Sequence, residues 1–309
     1  MRTFASLALL GAASATAMTE NDYKFMNFIT KFGKSYGTVE EFNFRAALFK
    51  KTEEAIAQIN AEQNTHVAAH NKFSDYTAGE YKRMMGLQGA PKMNATSFHK
   101  VEGTQANNID WRTSGVLTGV KDQGACGSCW SFSTTGSTEA ALAIAGHGLK
   151  SLSEQQLVSC SSAQGNLGCS GGWYYWAWDY MKTTALETEA SYPYTSGNGV
   201  TGTCKYNASL GVAKVTGYTE VAATSTAIKS ALNLKPVSVA IQADTAVFQT
   251  YSSGIITSAG CGTNIDHAVV AVGYGDNYYI VRNSWGTGWG EAGHVRIGIA
   301  EGAGICGIN

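Results

Sequence analysis

Gln123-Gly124-Ala125-Cys126-Gly127-Ser128-Cys129-Trp130 is a glycine-rich turn that runs directly into a stretch with helical spacing of its apolar residues, Phe132, Ala140, Leu142 and Ile144, closed by Gly146. That pattern predicts a helix over 130–145 with Cys129 at its start. The unpaired N–H groups and the dipole at a helix N-terminus stabilise an anion, so the thiolate form of Cys129 is favoured there over that of a free thiol. A thiolate is a nucleophile, and its use in catalysis needs a base and a group that orients the base.

Downstream the chain changes character. Residues 237–241, 268–272, 278–281 and 294–299 are β-branched or aromatic runs bounded by Gly and Asn, which predicts strands. Ser153 with Gln156 marks the start of a further short helix before Leu157 and Val158. Helices first and strands after argue for an α+β unit with two lobes. His267 heads the apolar run 268–272, and Asn283 closes the run that follows it. They lie 138 and 154 residues beyond Cys129. Alone, each reads as an ordinary rim or turn residue. Together they supply a base and a neutral partner that steadies the imidazole without taking its proton, so thiolate and imidazolium can coexist. Gln123, six residues before the nucleophile, can direct its side-chain N–H with the Cys129 backbone N–H at the oxygen that turns negative during attack on a carbonyl; one such donor is worth roughly 10²–10³ in rate.

Upstream, residues 18–104 hold 11 basic and 10 acidic residues and neither Cys nor Trp, against 10 and 13 from residue 105 onward. Phe25, Phe28, Phe32 and Tyr36 recur at helical steps, as do Phe42, Arg45, Phe49, Thr52, Ile56 and Ile59, which predicts two packed amphipathic helices. Thr77 and Glu80 form a capping-box pattern ahead of Tyr81, Met84 and Met85, marking a short third helix. From Gly86 to Asn108 the periodicity disappears, so this stretch reads as a linker whose cleavage would leave about 205 residues. At the start, Arg2, the apolar run 4–13 and Ala15-Thr16-Ala17 form the pattern of a cleaved secretory signal over 1–17. A net charge of −1 argues against nucleic acid as a partner, and no later run is long enough to span a membrane. Seven cysteines, all between 126 and 306, leave one thiol over in an oxidising compartment.

Cys-Gly-Ser-Cys-Trp with a His and an Asn about 130–150 residues downstream is a known signature. On it the chain resembles a papain-family cysteine protease of the cathepsin L type in precursor form. The likeness extends upstream: Glu41, Arg45, Phe49, Ile56 and Asn60 match the propeptide helix motif with Thr52 in place of its usual Asn, and Asn71, Phe73 and Asp75 match a second propeptide motif with Ala69 in place of its leading Gly. The resemblance implies a papain-like two-lobed fold, with a helical left lobe and a β-barrel-like right lobe over 105–309. Ahead of it would stand a helical inhibitory propeptide over 18–104, its strand lying along the cleft in the non-productive direction. It implies Cys129, His267 and Asn283 as catalytic residues and Gln123 with Cys129 as oxyanion donors. It further implies disulfides Cys126–Cys169, Cys160–Cys204 and Cys261–Cys306; sequence alone leaves 15 pairings of those six. The first would close about 44 residues, worth ~4 kcal/mol by chain entropy.

Substrate backbone is expected along Gly127, Gly171 and Gly172, with Asp266 and Trp285 flanking the cleft. Tyr174, Ala240, Ile265 and Ala268 are expected to wall the pocket for the side chain two residues before the cut, favouring Leu, Val or Phe over Arg. The residue that usually floors this pocket in the family has no counterpart after Cys306, so looser selectivity than in cathepsin L proper is expected. No His-bearing insertion blocks the cleft, which favours endopeptidase action. Neither a cofactor nor a metal is implied; partners are protein and peptide substrates, the chain's own propeptide, and cystatin-type inhibitors, on a monomeric enzyme. Destinations are a lysosome-like acidic vacuole or the outside of the cell. Asn94 and Asn207 sit in glycosylation acceptors. Two other readings compete: a catalytically silent binding protein on the same fold, disfavoured because nucleophile and His are both present, and a thioredoxin-like redox pair Cys126/Cys129, which gives Gln123, His267 and Asn283 no role.

Overall fold

The computed structural model describes residues 18–89, 91–257 and 259–309, so the leader expected at 1–17 lies outside the described residues. Helices α1 (Glu20–Phe32) and α2 (Val39–Glu62) form as the apolar spacing predicts and pack through Phe25, Phe28 and Phe49, all buried. Thr19 and Asp22 cap α1 reciprocally, and Gly33 ends it at φ 61°. Tyr36 therefore lies past the helix that its spacing suggested, although its ring still stacks on Phe25. The Asn60 carboxamide both donates to Ala68 O and accepts from Ala68 N at 2.9 Å, fastening α2 to strand β1 (His66–Ala68). The capping box at Thr77 and Glu80 opens α3 (Ala78–Lys82).

After β2 (Ser97–Phe98) and β3 (Ile109–Asp110), the long helix α4 (Cys129–Ile144) passes through the middle of the molecule, buried from Cys129 to Ala140. On one side α5 (Glu154–Cys160) and α6 (Tyr174–Thr183) build an apolar core with Trp130, Leu157 and Met181. On the other, β4 (Thr219–Glu220), α7 (Ser225–Leu232), β5 (Val237–Ile241), α8 (Ala246–Gln249), β6 (Tyr251–Ile256), β7 (His267–Tyr274), β8 (Tyr278–Arg282) and β9 (His294–Gly298) complete the chain. The main sheet runs β1-β6-β9-β8-β7-β3 with β5 also on β7, and closes over a second core that includes Ile241, Val269, Trp285 and Ile297. Two cores with α4 between them are the two lobes expected.

Two features lie outside what local periodicity can signal. Strand β1, from the helical N-terminal region, adds antiparallel to β6 of the second lobe. The linker is not structureless either: β2 pairs in parallel with β4. Both are pairings of very short segments with distant ones, so neither leaves a periodic trace. The N-terminal region also spans both cores, since Phe73, Tyr81, Met84 and Met85 join the sheet core whereas Leu87 joins the helical one. The structure bonds Cys126 to Cys169, Cys160 to Cys204 and Cys261 to Cys306, and Cys129 is free.

Candidate active site

Cys129 is the first residue of α4 and His267 the first of β7, each placed by the start of a regular element. The Ala268 backbone N–H donates to Cys129 Sγ at 3.4 Å, which sets the imidazole's own strand against the thiol. Strand β8 pairs antiparallel with β7, Arg282 opposite Val270, and so returns Asn283 to the end where His267 begins. His267 Nε2 lies 2.8 Å from Asn283 Oδ1, an oxygen that also accepts from Ser284 N at 2.8 Å. A carboxamide oxygen only accepts, so Nε2 carries the proton and Nδ1 presents a lone pair. Among the described residues Nδ1 has no hydrogen-bond partner. The Trp285 indole lies 4.9 Å from the imidazole and covers it.

Gln123 is fully buried and held on every side. Its Nε2 donates to Cys126 O and to Met84 O, both at 2.8 Å, and its Oε1 accepts from Ser284 Oγ at 2.6 Å. Tyr194 OH donates to Gln123 O at 2.8 Å and lies 2.8 Å from Ser128 Oγ. Ser284 and Tyr194 are thus site residues that the sequence did not single out; Ser284 stands 161 positions from Gln123, and no local pattern carries that contact.

The segment after α3 fills the cleft. Gly172 N donates to Gly86 O and Leu87 N to Asp266 O, both at 2.9 Å. Gly86 crosses the thiol so closely that a Cβ there would stand 2.1 Å from Gly127 O and 3.0 Å from Cys129 Sγ. Gly171, at φ 121°, has room for Gly86 O only because it lacks a side chain: a Cβ would come within 2.7 Å. Gln88 follows, donating to Ser170 O at 3.0 Å and accepting from Trp173 Nε1 at 3.1 Å. Of the four expected pocket walls, Ala240 and Ala268 are cross-strand partners and pack with Tyr174 in the apolar cluster that receives Leu87. Ile265 stands apart from that cluster, 36% exposed.

Burial under this segment reverses the electrostatics expected from the helix N-terminus. Desolvation pushes the Cys129 thiol up to about 11, against three backbone N–H groups that favour the thiolate, and pushes His267 down to about 4 despite Asn283. Taking a charge out of water outweighs the dipole, so burial in this covered state favours the neutral thiol and the neutral imidazole. Burial likewise lifts the neighbouring Asp266 carboxyl to about 7.

The covering region is clamped by its own contacts. Phe73 and Tyr81 stack edge-on against Trp285 at 5.2 and 5.6 Å, and Asn71 donates to Gln249 O at 2.6 Å. Asp75, 2% exposed, accepts from Lys34 Nζ at 2.7 Å and Tyr36 OH at 2.8 Å. Arg45 forks onto both oxygens of Glu80 at 2.6 and 2.7 Å, holding that carboxyl down at about 2. Asn94 and Asn207 are exposed.

Residues 105–309 match the family model for papain family cysteine protease, and residues 25–81 match that for the cathepsin propeptide inhibitor domain. The chain is 40% identical to digestive cysteine proteinase 3 of Homarus americanus, over 95% of this chain and 93% of that one. It is 39% identical to a cathepsin L-like proteinase of Fasciola hepatica, over 98% and 95%. The solved digestive procathepsin L 3 of the Tenebrio molitor larval midgut superposes with a TM-score of 0.85 at 35% identity, covering 94% of this chain and 97% of that one.

Proposed function

Because the chain belongs to the papain family of cysteine proteases and carries that family's inhibitory propeptide, we propose that Cys129, His267 and Asn283 are its catalytic residues and Gln123 its oxyanion donor. His267 Nδ1 takes the Cys129 proton, and Sγ attacks the peptide carbonyl while Gln123 Nε2 and the Cys129 N–H receive the oxyanion. His267 then protonates the leaving amine, and a water activated by His267 releases the acyl group. The observation that carries this reading is Met84 O on Gln123 Nε2: the propeptide offers a carbonyl to the donor that the reaction needs.

The inhibited direction follows. Substrate pairing at Gly172 would use the residue two before the cut, which precedes the carbonyl at Gln123. Here Gly86 pairs with Gly172 and Met84 reaches Gln123, so the order is reversed. Leu87, in the cluster of Tyr174, Ala240 and Ala268, supports a preference for Leu, Val or Phe at that position over Arg. The enzyme is an endopeptidase working as residues 105–309 after loss of 18–104. It passes through the secretory pathway to an acidic vacuole or the outside of the cell, acts as a monomer, is restrained by cystatin-type inhibitors, and bears glycans at Asn94 before and Asn207 after maturation.

The test is hydrolysis of Leu-Arg and Phe-Arg fluorogenic peptides at pH 5 and 7 by acid-treated precursor, beside Cys129→Ser, with intact mass followed. Turnover that requires Cys129 and appears with loss of roughly the first hundred residues is the expected result. Processing without turnover in the wild type would overturn it in favour of a silent binding protein.

A further inference from the structure

Between the N-terminal region and the enzyme the chain is fastened at two places and free in between. At the first, β2 pairs with β4: Thr96 N donates to Tyr218 O at 3.0 Å, His99 N donates to Glu220 O at 2.7 Å, and His99 Nε2 lies 2.9 Å from Ser230 Oγ. At the second, Asn233 Oδ1 accepts from Ala106 N and its Nδ2 donates to Gln105 Oε1, both at 3.0 Å, while Tyr274 OH donates to Ala106 O at 2.8 Å. From Lys100 to Thr104 every residue is exposed. Among the described residues no backbone N–H of that stretch has a partner, and its carbonyls receive only two long contacts, from Gln105 Nε2 to Glu102 O and Gly103 O at 3.4 Å. The loop arches over a cavity of about 430 Å³ lined by His99, Lys100, Glu102, Gln105, Ser230 and Asn233. Gly103 turns it at φ 67°, with nothing within 4 Å of where a Cβ would stand. An exposed segment without backbone bonds is drawn out at little cost in stability.

We propose that this loop is the maturation site and that a second copy of the enzyme cuts it between Glu102 and Gly103, with Val101 in the pocket for the residue two before the cut. The inference rests on the catalytic reading of Cys129 and on the pocket's preference for Leu, Val or Phe. Val101 is the one residue of that kind between Phe98 and Ile109. It is 48% exposed, and its N–H and C=O have no partner among the described residues, which leaves them for the strand-like pairing that a substrate makes at Gly172.

The apolar residues upstream are engaged. Leu87 is buried, Met93 packs against the helical core, and Phe98 lies within β2 beside the doubly held His99. The chain's own cleft holds Gly86 and Leu87, so the cut falls to another molecule. The bond is hydrolysed through a thioester on Cys129 of the second copy: Gly103 leaves as an amine, and water returns the Glu102 acyl group as a carboxylate. The first product is 103–309, with Gly103 and Thr104 ahead of Gln105, where Asn233 keeps the new N-terminus on the enzyme.

The experiment supplies full-length Cys129→Ser precursor, which cannot cut itself, with a trace of acid-matured wild-type enzyme at pH 5, and follows the products by intact mass. The earliest product is expected to begin at Gly103; no product, or one that begins elsewhere, overturns the proposal. Val101→Asp in the same precursor is expected to slow the cut at least about 10-fold, because a carboxylate loses its hydration in an apolar pocket. Val101→Leu is expected to be cut as fast as the parent or faster. An unchanged rate in Val101→Asp overturns the proposal. Hydrolysis of a Phe-Arg fluorogenic peptide by the same trace enzyme separates the two readings. Peptide turnover beside an uncut precursor defeats the maturation site alone, whereas no turnover defeats the catalytic reading beneath it.

Discussion

Met84 O sits 2.8 Å from Gln123 Nε2, so a carbonyl of the N-terminal region occupies the donor proposed above to receive the oxyanion. On that proposal the inhibitor is held by the donor it blocks. Gln123→Ala is expected to lower kcat of the mature enzyme roughly 10²- to 10³-fold with KM little changed, and to loosen the precursor. Steady-state kinetics on a fluorogenic peptide checks the first, and the rate of precursor processing the second. A kcat within threefold of wild type would remove Gln123 from the mechanism.

Thiol reactivity should rise on maturation. With Cys129 pushed up to about 11 and His267 down to about 4 by burial, the precursor holds less thiolate between pH 6 and 9 than an ordinary thiol. Iodoacetamide labelling followed by mass is expected to be slow in the precursor across that range and much faster after propeptide removal. Equal labelling rates in the two forms would show that the cover does not govern the site's charge.

His66 should make propeptide docking sensitive to mild acid. It is 3% exposed on β1, beside Tyr251 of β6, with both ring nitrogens unpartnered, and burial lowers its pKa. The nearby charges on the enzyme side, Glu291 and Arg296, are paired with each other at 2.7 Å. The released segment binds a proton near pH ~6.5 and the docked one resists it, so docking is at full strength above that pH and weakens as pH falls below it. His66→Phe is expected to shift the midpoint of precursor processing to lower pH. An unmoved midpoint would exclude His66.

Asp75 supplies a separate grip. Asp75→Asn removes the charge that Lys34 and Tyr36 hold, leaving Lys34 unpaired at a cost on the order of 3 kcal/mol. The variant precursor is expected to mature at a higher pH than wild type, as followed by intact mass. Activation at an unchanged pH would show that the Asp75 contacts do not hold the precursor closed.

What could be read along the chain is what local chemistry encodes. The cysteine at the head of a helical pattern, the capping box at Thr77, the N-cap at Ser153, and the alternating runs that became β5, β7, β8 and β9 all formed within a residue or three of their expected bounds, because each depends on neighbours a few positions apart. Seven cysteines announced a leftover thiol by arithmetic. Other features belong to tertiary structure alone. Ser284 orients Gln123 from 161 residues away, β1 crosses to β6, and the linker enters the cleft against Gly172 and Asp266; none has a period to detect. The sharpest case is Cys129. Its position at a helix N-terminus favours a thiolate, yet its ionisation in the closed chain is set by how much water Gly86 and its neighbours exclude. Burial is a sum over everything that packs on a residue, and only the folded chain defines it.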